Sequence, residues 1–220
     1  MPAFEPHYER LKARQRAERD AWPEALGLRV HRALSWLNRA EQCGDDVDAR
    51  FIFLWISFNA AYAQLLSMDD RAPETVRANQ FIRKLVDLDQ QGALHALLWD
   101  AFPGSIRVLL SNHYIFQPFW DAQMGEEPSN DWRERFESAN RLANQALGRG
   151  DTATLLSVVL ARLYTLRNQL VHGGATWNSS VNRDQLRDCT RLLGNLVPAV
   201  IEIMMDHPRT LWGAACYPVV

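Results

Sequence analysis

From Phe51 to Met68 the chain carries no Asp, Glu, Lys or Arg. A run this apolar has two destinations, a bilayer or the middle of a helical protein, since a membrane-spanning helix needs about 20 predominantly apolar residues. Ser57, Asn59, Gln64 and Ser67 interrupt the run, and acidic residues flank both ends. A helix from Val47 to Met68, apolar almost all round, therefore belongs at the centre of a bundle. Asn59 is its polar exception, and a buried amide must find partners. Either it fixes helix register through an interhelical hydrogen bond, or it supports a functional cluster elsewhere.

The segments around this helix repeat the apolar period of about 3.6 residues. Pro23-Glu24 opens a helix to about Gln42, with Leu26, Val30, Leu34 and Leu37 as its stripe. Pro73 opens another to about Leu88, with Val76, Phe81, Ile82 and Leu85 expected inward. Gly92 to Phe102 and Ser105 to Leu110 read as two shorter helices divided by Pro103-Gly104. From Ser111 to Asn130 the helical period disappears. His113, Tyr114, Phe116, Phe119 and Trp120 in that stretch either cover the end of the bundle or form a base-stacking platform. Asp131 to Leu147 is helical again, with Trp132, Phe136 and Leu142 as candidate buried positions. Arg183 to Asp206 forms the last long helix, in which Pro198 predicts a kink. Strand-like alternation, internal repeats and low-complexity tracts are absent. The expectation is an all-α bundle of four or five long helices with an irregular helical insertion at about 73–130. Residues 1–22 form a charged helical arm expected to be solvated or to act as a lid, 23–208 a single helical domain, and 209–220 an apolar tail that packs on the bundle or a partner.

Composition removes several classes of function. A chain of 220 residues can bury a core without metal or disulfide staples. Its three cysteines, Cys43, Cys189 and Cys216, have no paired spacing. The six histidines are not spaced as metal ligands, so no metal and no cofactor is expected. No glycine-rich phosphate loop and no Gly-x-Ser-x-Gly elbow occurs. The net charge of −2 advertises no global nucleic-acid field, so any such site must be a local patch. All but two of the 24 basic residues are Arg, whose forked donors suit phosphates. The amino terminus is charged throughout and lacks the apolar core of a secretory signal, which points to a cytoplasmic protein without a membrane anchor.

One further helix carries chemistry. Leu155, Val159, Leu163, Leu166 and Leu170 form the apolar stripe of a helix that Asp151 or Thr152 caps and Gly173-Gly174 ends. Its last turns hold Arg167, Asn168 and His172, which that stripe does not need. Asn168 and His172, four apart, share a face. Arg167 lies about 140° round from His172, with a side chain long enough to curl back. A permanent cation beside a group that titrates near neutrality suits phosphate chemistry. The structural alternative is that Arg167 caps carbonyls, Asn168 bonds to the backbone and His172 fills a groove.

The hexapeptide Arg167-Asn168-Gln169-Leu170-Val171-His172 resembles the signature of the HEPN superfamily, an Arg followed by four to six residues and a His, with a polar residue directly after the Arg. The context is similar too: the motif closes the penultimate helix, a glycine turn follows, and one last amphipathic helix comes after. The segment from Trp36 to Gln64 looks like the first two helices of those domains, while 73–130 departs from the minimal bundle. The resemblance implies a metal-independent endoribonuclease, in which two protomers pair as a homodimer around one composite cleft. His172 would be the general acid or base at the 2′-hydroxyl or leaving oxygen, Arg167 would stabilise the phosphorane-like charge, and Asn168 would orient either. The substrate would be RNA, since only RNA carries the internal 2′-hydroxyl nucleophile. Arg162, Trp177 and Arg183 are candidate RNA contacts, and Asn59 a candidate support. The usual family setting is toxin or phage-defence biology, with an antitoxin protein as a partner. The alternative from another class is a non-catalytic HEPN bundle that binds nucleotide or protein and dimerises.

Overall fold

A computed structural model describes residues 6–62, 74–125, 131–210, 212, 213 and 215. Among these the chain is all-α, with ten helices and no β-strand. In chain order they are α1 (Tyr8–Glu18), α2 (Glu24–Glu41), α3 (Val47–Tyr62), α4 (Glu74–Leu88), α5 (Ala93–Ala96), α6 (Pro103–Ser111), α7 (Gln117–Gln123), α8 (Asp131–Arg149), α9 (Thr152–Val171) and α10 (Arg183–Asp206). None of the described helices is long and apolar enough to cross a membrane.

The charge-free run enters the bundle as its central helix. α3 lies between α2 and α10 and also touches α9, and it buries Phe51, Leu54, Trp55, Phe58 and Ala61. From α2 come Leu26, Val30, Leu34 and Leu37, the expected stripe, together with Ala33 and Ala40. Ser57 on α3 donates its hydroxyl to the carbonyl of Ala33 at 2.6 Å. That buried hydrogen bond between two helices is the register-fixing contact that Asn59 was expected to make. Asn59 itself is half-buried. The remainder of the charge-free run, 63–68, lies outside the described residues.

The amino-terminal arm is docked, not solvated. Leu11 and Gln15 of α1 are buried, and the backbone N–H groups of His7 and Tyr8 both donate to the Glu41 carboxylate. Arg10 pairs with Glu202, and Arg14 with Asp206 at 2.7 Å. A single buried leucine every three turns leaves almost no apolar period in the sequence, so the docking could not be read from pattern.

Two further positions and one helix depart from expectation, each for its own local reason. Val76 is 43% exposed, because it lies five residues before Phe81 and so about 140° round α4 from it. Leu142 is also exposed, and α8 instead buries Ala143 and Ala146. Small residues carry little hydrophobic weight in a sequence, yet they let helices approach closely. Lastly, α7 occupies part of the aromatic stretch that lacked a period. Pro118 stands in its first turn, where a fixed φ and a missing N–H favour a helix start.

The tail packs back on the bundle as far as it is described. Trp212 is buried, stacks edge-on against Phe81 at 6.1 Å, and donates its indole N–H to the His207 carbonyl. Cys43 and Cys189 are free thiols, with burial pushing the Cys189 thiol up to about 12; Cys216 is outside the described residues.

Asp151 caps α9 as its sequence position demands, its carboxylate accepting from the Thr154 N–H at 3.0 Å. That bond holds the carboxyl below the usual carboxylate range. Asp151→Ala is expected to lower stability by about 1 kcal/mol at neutral pH. A depressed folded-state pKa contributes stability that is present above the unfolded-state value and disappears as pH falls through the folded one. The gap between wild type and variant should therefore close on acidification below the ordinary carboxyl value of 3.8, read by urea denaturation across pH. A gap that stays constant down to low pH would refute the cap.

Candidate functional site

The apolar stripe of α9 buries Leu155, Val159, Leu163 and Leu166, so the helix is fixed in rotation and its last two turns emerge from the bundle in a defined orientation. His172 is the first residue beyond the helix. Behind it the backbone closes a two-bond glycine cap. The Gly173 N–H donates to Leu170 at 3.3 Å, and the Gly174 N–H to Gln169 at 2.7 Å. Gly173 has φ of +73°, the left-handed region in which only glycine is unstrained, and a Cβ on Gly174 would stand 3.2 Å from the Gln169 carbonyl oxygen. The two glycines thus terminate α9 at one residue and present His172 there.

Arg167, Asn168 and His172 all reach the surface: His172 is exposed and the other two half-buried. The Arg167 guanidinium donates to the Asn168 side-chain carbonyl at 3.0 Å. His172 meets Asn168 through the backbone, its N–H donating to the Asn168 carbonyl at 3.0 Å. Among the described residues the imidazole makes no side-chain hydrogen bond. The amide therefore holds the guanidinium and not the imidazole. A rigid fork of donors and an accessible imidazole at one helix end can receive a phosphodiester, the fork taking the charged oxygens.

The surroundings of this end are built by two distant parts of the chain. The Gln169 side chain donates to the carbonyl of Tyr114, and the Trp120 indole donates to the same carbonyl at 2.8 Å. The aromatic stretch is thereby seated against the motif. Its rings pack on one another and on α8: His113 lies 5.0 Å from Phe119, and Phe119 lies 5.0 Å from Trp132. This is the covering role; of these rings, Tyr114 is exposed. On the other side, the loop after the glycines is tied to the start of α3. Trp177 donates to Asp46 at 3.2 Å, while Arg183 pairs with Asp48 at 2.5 Å and donates to the Ser179 carbonyl.

The remaining candidates divide. Trp177 is 73% exposed despite its hydrogen bond and lies in the loop next to the motif. Arg183 is committed to Asp48, with both side chains mostly buried, so its charge is already matched. Arg162 is 2% exposed and so meets no strand directly. Ten residues before His172, it lies about 15 Å back along α9. Asn59 is not brought to the cluster either. The start of α3 carries the contacts to the 172–183 loop, and Asn59 lies 12 residues beyond Val47, about 18 Å further on.

Arg162 is the feature that spacing did not reveal. Its guanidinium sits 4.3 Å from the centre of the Phe116 ring and 4.9 Å from that of Phe136. One terminal nitrogen makes a long contact of 3.4 Å to the Asn140 amide oxygen, and the other is buried without a hydrogen-bond partner. Burial pulls its pKa down to about 10, so it remains a cation at neutral pH. Arg29 was equally silent in the sequence. It is fully buried in α2 and donates to the Ala61 carbonyl at 2.8 Å and the Gly213 carbonyl at 3.3 Å. No cluster of His, Cys, Asp and Glu among the described residues has the arrangement of a metal site. Compared with family models, curated proteins and solved structures, the chain has no match to any of them.

Proposed function

We propose that the protein is a HEPN-type endoribonuclease that cleaves RNA without a metal ion, by attack of a 2′-hydroxyl on the adjacent phosphate. The observation that carries this reading is the exposure of His172 at the end of α9, five residues after an Arg167 whose guanidinium is steadied by Asn168. In the proposed reaction His172 moves the proton at the 2′-oxygen or at the leaving 5′-oxygen, and Arg167 balances the charge that grows on the phosphoryl oxygens. Bond for bond, the 2′-oxygen bonds to phosphorus as the 5′-oxygen leaves. The products are a 2′,3′-cyclic phosphate and a 5′-hydroxyl.

A homodimer with a composite site is part of the same proposal. Tyr164 and Val171 are 42% and 49% exposed and lie on the Asn168 face of α9, at i, i+4 and i+7. Apolar side chains held in solvent on either side of a polar motif favour a second copy there. A toxin or defence setting, with an antitoxin partner, follows only from the motif's likeness to that superfamily.

The test is incubation of end-labelled structured RNA with the purified full chain in EDTA. Cleavage that leaves cyclic-phosphate ends is expected. Intact RNA, across several structured substrates and with a dimer present in sedimentation, would favour the non-catalytic bundle instead.

A further inference from the structure

The chain's two lysines, Lys12 and Lys84, stand in unlike places. Lys84 has its ammonium over the Trp212 ring, 5.8 Å from the centre. Lys12 is half-buried in the middle of α1, where its Nζ donates to the side-chain oxygen of Gln15 at 2.6 Å. Gln15 is itself buried, so the core fixes this partner and the amine is held at one place on the surface. Around that place the chain gathers positive charge. Arg16 lies one turn further along α1, the spacing at which like charges repel, and Arg19 follows three residues later on the same face. α1 packs on α2, which brings His31 and Arg32 to the same side.

Negative charge does not match it. The nearby acids are paired elsewhere: Glu18 and Asp206 with Arg14 at 2.8 Å and 2.7 Å, Glu202 with Arg10, and Asp20 with Arg19 at 3.6 Å. Glu9, three residues before Lys12, makes no ion pair with it. Among the described residues neither Lys12 nor Arg16 has a carboxylate partner. Two groups record the field. Burial first, and then Arg16 and Arg19, pull the Lys12 pKa below the ordinary lysine value. Burial, and then Lys12, Arg19 and Arg32, pull His31 below the ordinary histidine value. A lysine held down by burial and neighbouring cations carries more of its neutral amine, which is the nucleophile. The same cations that oppose an ammonium there favour an anion at the same nitrogen.

We propose that Lys12 is a carbon dioxide site, at which the amine becomes a carbamate whose negative charge is held by Arg16 on α1 and by the cations of α2. The nitrogen lone pair bonds to the carbon of carbon dioxide, one C=O π pair moves onto its oxygen, and a nitrogen proton leaves to solvent. Nothing is oxidised or reduced. Repulsion between Lys12 and Arg16 then becomes attraction between opposite charges one turn apart. At Lys84 a carbamate would face the π density of Trp212 instead of a cation, so the two amines should differ. The inference uses neither Arg167, Asn168 nor His172 and stands apart from the ribonuclease reading.

The experiment equilibrates the full chain with isotope-labelled bicarbonate, or with chloride at equal ionic strength, and traps carbamates with triethyloxonium. Mass spectrometry of the peptides reads the label at Lys12 and Lys84. It is run on wild type, Lys12→Arg and Arg16→Ala, with helicity and melting temperature checking that each variant folds. Label at Lys12 is expected to rise with bicarbonate and to exceed that at Lys84 several-fold. Arg16→Ala should lower it several-fold, because that change both restores the ammonium and removes the counter-charge of the product. A second readout follows His31 by NMR titration. Its pKa should rise when bicarbonate replaces chloride in wild type, since a neighbouring cation becomes an anion, and should not move in Lys12→Arg. The proposal is overturned if Lys12 takes no label or no more than Lys84, if folded Arg16→Ala is labelled as wild type is, or if His31 responds equally in Lys12→Arg.

Discussion

His172→Ala is expected to lower RNA cleavage by a factor of about 10² to 10⁴, the share that a positioned general acid or base contributes. The melting temperature should stay within about 2 °C of wild type, because exposed side chains away from caps and cores change stability by no more than about 0.5 kcal/mol. His172 contributes its backbone, not its imidazole, to the turn: its own N–H bonds to Asn168, and the glycine cap behind it uses only main-chain atoms. Cleavage and folding are therefore separable at this residue. Arg167→Lys sharpens the test, since it keeps the charge and loses the fork. A large loss with Lys identifies bidentate recognition, and near-normal activity with Lys leaves only a point charge. Gel cleavage in EDTA and thermal denaturation on the same preparations decide the matter. Undiminished cleavage by His172→Ala would remove the imidazole from the reaction, and a melting temperature far below wild type would return it to a structural role.

The second large effect belongs to stability. Arg29→Ala is expected to destabilise the protein by about 3 kcal/mol, and so to lower the melting temperature by about 6–12 °C. The guanidinium is fully buried and bonds two carbonyls from different parts of the chain, Ala61 near the end of α3 and Gly213 in the tail. Its removal leaves both acceptors with a missing donor in the interior and empties the space the side chain filled. Arg29→Met separates the two components: it restores much of the volume but none of the donors, so about half of the loss should persist. Chemical denaturation of the three proteins measures this directly. If Arg29→Met is as stable as wild type, packing and not hydrogen bonding is what Arg29 supplies. Since Arg29 approaches the end of α3 remote from Asp46 and Asp48, which hold the motif loop, cleavage per folded molecule should be unchanged.

Much of the bundle could be read from residue order because helices are local. The stripes of α2 and α9, the Asp151 cap, the Gly173-Gly174 stop and the limits of α10 all follow from bonds and periods within a few residues, and all are present in the structure. The apolar stretch beginning at Phe51 named its own place, since a helix with no charged face must be surrounded. Arg167, Asn168 and His172 were legible as a group for the same reason, being within two turns of one helix. Pattern failed where the deciding contact was distant or small. Alanines carried the inner face of α8, one leucine docked α1, and Ser57 made the interhelical bond that Asn59 was expected to make.

What residue order alone determined is the class of fold, the boundaries of most helices and the polar cluster at the end of α9, because each rests on hydrogen bonds and side-chain periods that span a turn or two. Only the tertiary structure decided that His172 stays exposed, that Asp48 engages Arg183, that Asn59 sits far along α3 from the motif, and that Arg162 lies buried against Phe116. Those outcomes depend on which helices meet and at what height, and that is set by the summed packing of residues far apart in the chain rather than by any local signal.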